Sequence, residues 1–344
     1  QQEQAIPGLE VGIIEGGRTH FFGYGIFTKS TEAPGTAGTL YELGSLSKCF
    51  TATLATYAQA TGRLALTDPP GKHLPALRGS ALDHASLLQF GTYTAAGLPL
   101  QFPDAVQTDA AALAWLRSFQ PTAAPGTVRR YSNPSIGLMG HAVAAALGKS
   151  YAAACEQDLF PALGLKDTFV RVPSRAMPAY AWGTSRTGEP VRVNPGAFDA
   201  EAYGIKSTMF DMLAFVQAQL APGTLAPALR SAVLQTQAPR FEVGAMVQGL
   251  GWEQYPWPCP AGRLQDGNST AMALEPQPAR AIAATPWDAR STLFNKTGST
   301  NGFGAYVAFI PARGAGLVML ANRNIPNSLR VSAAHQVLLA LAPG

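Results

Sequence analysis

The sequence is poor in charged residues and has no long apolar run. Charged residues make up 13% of the 344 residues and hydrophobic ones 47%, which favours a folded chain with a sizeable core over a disordered one. No apolar run approaches the roughly 20 residues that cross a bilayer, so we predict no membrane insertion. The length allows one large domain or two closely packed ones.

The scarcity of histidine, cysteine and clustered charge argues against nucleic-acid-binding, metal-binding and redox proteins. The net charge is only +4, and no basic stripe interleaved with aromatics is present, so nucleic-acid binding is not expected and the one basic pair, Arg129-Arg130, is assigned to a mildly basic surface. Neither His-x-His nor His-Glu-x-x-His occurs, which predicts no metal, and we expect no cofactor. Cys49, Cys155 and Cys259 match no metal or redox spacing and could form one disulfide at most.

Hydrophobic periodicity predicts strands at both ends of the chain and helices between them. Residues 9–14 and 20–27 alternate as two strands around a Glu15-Gly16-Gly17 turn, and further strands are predicted at 293–297, 304–310 and 316–321. Helices are predicted at 46–61, 109–119, 135–147 and 328–341. Residues 171–202 are rich in proline and glycine, and a loop of that length usually serves a site.

This pattern predicts an α/β fold in which an antiparallel sheet is flanked by helices and carries an inserted, mostly helical domain. We expect the first part of the α/β domain at residues 1–60 and the mostly helical domain at 61–170. The second part of the α/β domain, including the long loop, is expected at 171–344.

Ser45-Leu46-Ser47-Lys48 is the first element that carries chemistry. Residues three apart share a helix face, so Lys48 can reach the hydroxyl of Ser45. A serine hydroxyl needs such an adjacent base or cation to act as a nucleophile near pH 7. Ser-x-x-Lys is common on helices, however, and the motif alone predicts little.

Two further elements follow in order, Tyr131-Ser132-Asn133 near a helix start and Lys296-Thr297-Gly298 on a late strand. A phenol can act as a base only if neighbouring ammonium groups lower its pKa, and two flanking lysines would do so. Ser-x-x-Lys together with Lys-Thr-Gly is the signature of serine β-lactamases and penicillin-binding proteins. The joint occurrence of all three elements therefore predicts a serine acyl-transfer enzyme.

The sequence resembles class C β-lactamases, the cephalosporinases, over nearly its whole length. The resemblance is carried by segments 43–48, 92–101, 131–137, 201–206, 248–253 and 295–311. It implies the fold shared by serine β-lactamases and penicillin-binding proteins, and hydrolysis of β-lactam antibiotics, above all cephalosporins, through an acyl-enzyme on Ser45.

The same resemblance implies roles for individual residues. The implied catalytic residues are Ser45, Lys48, Tyr131, Asn133, Lys296 and Ser299, and the implied substrate-binding residues are Gln101, Tyr203, Thr297, Asn324, Asn327 and Arg330. The backbone N–H groups of Ser45 and Ser299 would form the oxyanion hole. Tyr131 is favoured for activating the deacylating water, but whether it or Lys48 is the general base stays open.

Two departures from the family pattern bear on substrate choice. Many class C enzymes have histidine before Lys-Thr-Gly where this chain has Asn295, and threonine after the first lysine where it has Cys49. Neither change touches the nucleophile or the lysines, so they concern the range of antibiotics. Glu253 could be an active-site carboxylate or a structural one, and the 324–330 cluster could instead cap the last helix.

Two other functions share parts of this pattern. A penicillin-recognising peptidase or esterase would acylate at Ser45 without fast β-lactam turnover. A catalytically idle binding domain would have lost the side chain of Ser45, Lys48, Tyr131 or Lys296, and all four are present.

The chain begins Gln1-Gln2-Glu3 without an apolar segment, and together with the predicted substrate this suggests an exported, periplasmic protein with its signal peptide removed. We expect it to be a monomer.

Overall fold

The computed structural model describes residues 6–28, 33–282 and 292–343. Its strands are β1 (Gly8–Glu15), β2 (Arg18–Thr28), β3 (Ala33–Pro34), β4 (Tyr41–Glu42), β5 (Val128–Arg129), β6 (Gly183–Thr184), β7 (Pro190–Val191), β8 (Lys206–Ser207), β9 (Phe241–Val243), β10 (Met246–Gln248), β11 (Glu253–Pro256), β12 (Gln277–Pro278), β13 (Arg280–Ala281), β14 (Thr292–Ser299), β15 (Gly304–Ile310) and β16 (Ala315–Ala321).

The helices of the same residues are α1 (Ser47–Ala60), α2 (Leu87–Gly91), α3 (Asp109–Ser118), α4 (Asn133–Leu147), α5 (Tyr151–Ala153), α6 (Phe160–Ala162), α7 (Asp199–Ala202), α8 (Met209–Leu220), α9 (Pro227–Gln237), α10 (Ala261–Gly267), α11 (Thr270–Leu274) and α12 (Asn327–Leu341). A π-helical turn, Ala154–Leu159, joins α5 to α6. No helix among the described residues is long and apolar enough to cross a membrane.

Ten strands of the described residues form one sheet, in the order β13-β9-β10-β11-β14-β15-β16-β1-β2-β3. Every pair is antiparallel, and β1 joins the two chain ends because it pairs with β2 on one side and with β16 on the other. The β1–β2 hairpin turns at Gly16 and Gly17, whose φ angles of +54° and +82° fit the tight turn that two glycines allow. The hairpin predicted from the sequence is thus confirmed.

Helices cover both faces of the sheet. Helix α8 packs against β1 and β16 on one face, and α12 packs against β15 and β16 on the other. Helix α1 lies in the larger apolar core and packs against α4 and α9. The predicted α/β class, an antiparallel sheet flanked by helices, is confirmed, while the division at residues 60 and 170 remains a prediction.

The long segment 171–202 contains little regular structure, as expected. It holds a 3₁₀ turn at Ser174–Ala179 and the two-residue strands β6 and β7, and it ends in α7. All three cysteines lie within the described residues, where they are buried and unpaired, so none of them forms a disulfide. The chain start, from which export is expected, lies outside the described residues.

Candidate active site

Ser45 and Lys48 meet at the start of α1. A 3₁₀ turn, Gly44–Leu46, runs directly into the helix and places Lys48 one turn beyond Ser45. The Lys48 Nζ donates to Ser45 Oγ at 2.9 Å and to the Ala202 carbonyl oxygen at 2.7 Å. Because the amine is fully buried, the pKa of Lys48 is lowered, which makes its neutral, proton-accepting form easier to reach.

Tyr131 is surrounded by cations. The Lys48 and Lys296 Nζ atoms lie 5.0 Å and 5.2 Å from its ring centroid, and the Arg129 Cζ lies at 5.5 Å. Burial alone would raise the pKa of Tyr131, but the charges of Lys296 and Lys48 and the nearby Ser45 hydroxyl together lower it below its ordinary value. The phenolate therefore forms more easily here than on a tyrosine in water.

Lys296 is paired with Glu253 across neighbouring strands. Its Nζ lies 3.2 Å from Glu253 Oε1, and both side chains are almost wholly buried. Burial on its own would lower the pKa of Lys296, but the Glu253 carboxylate, with Tyr131, raises it. Lys296 is thus held as a cation beside Tyr131. Of the two interpretations of Glu253, the structure favours the active-site one.

Arg129 lies in the site and is only 2% exposed. Its Nε donates to Gln248 Oε1 at 2.8 Å and its Nη1 to the Met272 carbonyl at 2.7 Å, while Nη2 lies 3.7 Å from Glu253 Oε1. The assignment of Arg129 to a basic surface was wrong, because these three acceptors draw the guanidinium inward. Sequence spacing could not reveal them, since they come from distant segments.

The end of β14 passes tightly against the Ser45 turn. A Cβ at Gly298 would lie 2.0 Å from the Leu43 carbonyl oxygen, and a Cβ at Gly44 would lie 2.5 Å from the Ser299 nitrogen. Gly44 also has a φ of +53°, a region that other residues rarely adopt. Two glycines therefore let the backbone of Ser45 and that of Ser299 face the same space.

A cleft with two lobes opens in front of Ser45. The first lobe, of about 260 Å³, is lined by Ser45, Leu100, Gln101, Arg129, Tyr131, Asn133, Glu253, Gly267, Asn268, Ser269, Met272, Ala273, Lys296, Thr297, Ser299 and Asn327. The second, of about 370 Å³, is lined by Ser45, Gln101, Asn133, Val193, Asn194, Tyr203, Ser299, Thr300, Asn301 and Asn324. Because Ser45 lines both lobes, a ligand could extend to either side of it.

Asn133 stands between the lobes at the first residue of α4. The Ser132 hydroxyl caps this helix by accepting from the Ser135 N–H, and the Asn133 N–H donates to the Leu100 carbonyl at 2.9 Å. That bond ties the Gln101 segment to the helix start. The Asn133 Oδ1 has no hydrogen-bond partner among the described residues, so it is available to a ligand amide.

The structure brings ten of the twelve predicted site residues to the lining of this cleft. Lys48 is fully buried and reaches Ser45 through its Nζ without lining either lobe. The other exception is Arg330, which is 1% exposed and also lines neither lobe. The expected place of Arg330 on the cleft surface was wrong, because backbone carbonyls under the end of β14 bind its guanidinium. Asn327 begins α12 but does not cap it, since its side chain accepts from Arg330 instead.

The two departures from the family pattern lie behind the cleft wall. Asn295 is fully buried and lines neither lobe, and its amide has no partner of regular hydrogen-bond geometry among the described residues, although it interacts with the Tyr255 hydroxyl. Cys49 is also buried, with Sγ 3.5 Å from the Gly251 carbonyl oxygen. Both therefore act on the cleft only through the residues packed in front of them.

The comparisons with known proteins point to one family. The family model described as Beta-lactamase matches residues 1–342. A Beta-lactamase of Pseudomonas fluorescens is 49% identical over 340 residues, which cover 99% of this chain and 95% of the relative. A Beta-lactamase of Escherichia coli K12 is 42% identical over 341 residues, covering 99% and 90%.

Solved structures are similar over almost the whole chain. A Beta-Lactamase/D-Alanine Carboxypeptidase from Pseudomonas syringae has a TM-score of 0.95 at 45% identity, covering 99% of this chain and 96% of that one. A class C beta lactamase from Rhodobacter sphaeroides has a TM-score of 0.94 at 46% identity, covering 99% and 97%. A class C beta-lactamase in complex with cefoxitin has a TM-score of 0.94 at 42% identity, covering 98% and 95%.

Proposed function

This chain belongs to the β-lactamase family and is a serine β-lactamase of class C, and on that premise we propose that it hydrolyses cephalosporins preferentially, through an acyl-enzyme on Ser45. The observation that carries the proposal is the contact of 2.9 Å between Lys48 Nζ and Ser45 Oγ, with Tyr131 between Lys48 and Lys296. The related class C enzyme in complex with cefoxitin supports binding of a β-lactam in this cleft.

In the proposed reaction Ser45 Oγ attacks the lactam carbonyl carbon while its proton passes to the Lys48–Tyr131 pair. The carbonyl oxygen, which becomes negative, is stabilised by the N–H groups of Ser45 and Ser299. The ring C–N bond then breaks, the nitrogen takes up the proton, and an ester on Ser45 remains. Water, activated by Tyr131, attacks this ester and releases the ring-opened acid, which restores the Ser45 hydroxyl.

The lowered pKa values of Lys48 and Tyr131 support a shared role in this proton transfer. The Lys48 Nζ contacts Ser45 Oγ and lies 5.0 Å from the Tyr131 ring centroid, so the two groups would titrate as a pair. We assign the deacylation step to Tyr131, because Lys296, held charged by Glu253, stabilises its phenolate.

The cleft also supports roles in substrate binding. Asn133 and Gln101 would hold the acylamino side chain, and Lys296 and Thr297 the substrate carboxylate. Tyr203 and Asn324 would line the second lobe and Asn327 the first. We place the enzyme in the periplasm, since its proposed substrates act on cell-wall synthesis there, and we expect it to be a monomer.

A carboxypeptidase is the second candidate. The structural relative from Pseudomonas syringae carries both activities in its name, and a D-alanyl peptide would use the same acylation chemistry. The two candidates differ in deacylation: a β-lactamase releases the opened lactam rapidly, whereas a peptidase accumulates its β-lactam ester.

Hydrolysis of a chromogenic cephalosporin by the wild type and by Ser45→Ala tests the proposal. We expect turnover by the wild type and a loss of roughly 10⁴-fold or more in the variant, while Ser118→Ala, at an exposed serine at the end of α3, should keep full activity. The ratio of kcat/KM for cephalosporins over penicillins measures the preference.

Mass spectrometry separates the two candidates. Stoichiometric acylation of Ser45 without turnover, together with release of D-alanine from a peptide, would make the protein a carboxypeptidase. Full activity in Ser45→Ala would refute the mechanism.

A further inference from the structure

Arg330 is a buried cation directly beneath the end of β14. Its Nη1 donates to the carbonyl oxygens of Gly298, at 2.5 Å, and Ala305, at 2.8 Å, and its Nη2 donates to Ser299 Oγ at 2.8 Å and to Asn327 Oδ1. No carboxylate among the described residues lies within ion-pair distance of it. Its donors are thus directed at backbone and neutral side chains, although an uncompensated buried charge is costly.

The carbonyl that Arg330 binds belongs to a peptide unit of the oxyanion hole. The Gly298 C=O and the Ser299 N–H are the two ends of one peptide, which is planar, so fixing the carbonyl also fixes the direction of the N–H. A cation on the carbonyl oxygen polarises the same unit and makes its N–H a stronger donor. The Ser299 nitrogen lies against the Ser45 turn, close to where a Cβ on Gly44 would sit.

We propose that Arg330 is a positioning residue that orients and polarises the Gly298–Ser299 peptide, so that the Ser299 N–H stabilises the negative oxygen formed when Ser45 attacks. The guanidinium itself does not touch substrate, because it lines neither lobe of the cleft. This inference rests on the proposed acylation of Ser45, and it replaces the direct substrate contact that the sequence predicted for Arg330.

The test compares Arg330→Met, which keeps the apolar stem but removes the donors, with Arg240→Met, a matched loss of a half-buried guanidinium outside the cleft. Removal of one oxyanion-hole donor costs about 10²- to 10³-fold in rate, so its misorientation should lower kcat/KM by roughly 10- to 100-fold. The affinity for a boronic acid, which forms a tetrahedral adduct on serine, should fall by a similar factor. KM should stay within about threefold of the wild type. Arg240→Met should leave kcat/KM, the boronic acid affinity and KM unchanged.

The infrared stretch of a ¹³C-labelled acyl-enzyme carbonyl reports the hydrogen bonding directly. We expect it to move to higher frequency in Arg330→Met, because the ester carbonyl loses polarisation. Ser299→Ala, which removes only the hydroxyl contact, should give a smaller shift. If Arg330→Met does not fold, Arg330→Lys can replace it. This variant has a single ammonium group in place of the guanidinium, and we expect it to give a carbonyl frequency between those of the wild type and Arg330→Met.

An unchanged carbonyl frequency in Arg330→Met or Arg330→Lys would overturn the inference, and so would a raised KM with unchanged kcat, which would indicate direct substrate binding. Failure of the proposed function has a different signature. In that case the wild type itself would not turn over β-lactams. The boronic acid affinities of the wild type and the variants could still be measured and compared, because they do not require turnover.

Discussion

At the scale of single residues, Tyr131 is where the charges of the site converge. Two lysines and an arginine lie within 5.5 Å of its ring centroid, and one carboxylate, Glu253, forms ion pairs with Lys296 and Arg129. The pKa of Tyr131 is therefore set by the number of cations around it, and any change to one of them should appear in the pH dependence of the reaction.

Lys296→Gln should move the acidic limb of the kcat/KM profile to higher pH. An opposite charge at this distance lowers a pKa by about 1 to 3 units, so removing it should raise the pKa of Tyr131 by a comparable amount. Because the proposed mechanism uses the phenolate, activity would then appear only at higher pH. Profiles from pH 5 to 10 would measure the shift, with Lys149→Gln, outside the cleft, as the control. A shift to lower pH would contradict the role of Tyr131.

The sequence was sufficient to predict that Ser45, Lys48, Tyr131 and Lys296 share one site, because each belongs to a short motif, and the structure brings these four side chains together. It could not identify the partners that hold these groups. The Ala202 carbonyl that binds Lys48 is 154 positions away, and the Arg129–Met272 contact spans 143. Such contacts depend on tertiary packing, and a backbone carbonyl has no side-chain identity that a sequence could display.

At the scale of elements, the Gly44–Leu46 turn and the end of β14 form one tightly packed unit. Both segments lack a Cβ where they meet, at Gly44 and Gly298. The geometry of the proposed nucleophile and that of the proposed oxyanion hole are therefore coupled through backbone contact, without an intervening side chain.

Gly44→Ala should reduce both stability and activity. A non-glycine residue at its φ of +53° costs about 1 to 2 kcal/mol, and the new Cβ would also press on the Ser299 backbone. Gly62→Ala is the matched control, since Gly62 has a φ of +72° but no atom within 4 Å of the place that an alanine methyl would occupy. Gly62→Ala should therefore lose stability but keep its activity. Thermal unfolding and kcat/KM would distinguish the two variants; equal kinetics would argue against the coupling.

Regular elements were predicted where alternation or helical periodicity extends over many residues, as in β1, β2, α4 and α12. Strands β9, β10 and β11, each of three or four residues, were not predicted. Segments this short contain too few side chains to establish a period, and they become strands because β14 offers a long edge to which β11 can pair.

At the scale of the whole molecule, both chain ends meet in the sheet. Strand β1 pairs with β16 across more than 300 positions, for example at Leu9 and Ala321. The Glu10 side chain on this strand is fully buried, and its carboxyl oxygens have no partner of regular hydrogen-bond geometry among the described residues. Burial raises the pKa of Glu10 from 4.5 to about 8, although nearby Tyr41 acts in the opposite direction.

Stability should therefore fall as the pH rises from 4.5 to about 8. In this interval the unfolded chain ionises Glu10 while the folded chain keeps it neutral, so the folded state binds more protons and loses free energy of unfolding with rising pH. At about 1.4 kcal/mol per pH unit the loss from this one group could reach roughly 5 kcal/mol.

Glu10→Gln should remove this dependence and be more stable than the wild type at pH 8. Urea unfolding at pH 5 and pH 8 would measure the difference, with Glu15→Gln, at the exposed end of the same strand, as the control. Parallel pH dependence in wild type and Glu10→Gln would show that Glu10 is not the source.

The three buried, unpaired thiols have a practical consequence for work with this protein. Burial raises the pKa of Cys49, Cys155 and Cys259, so little reactive thiolate is present at neutral pH. A cysteine introduced at an exposed cleft position such as Asn301 would be the one that reacts with a maleimide dye. A fluorescent reporter of antibiotic binding can thus be attached at this position without first replacing the three native cysteines.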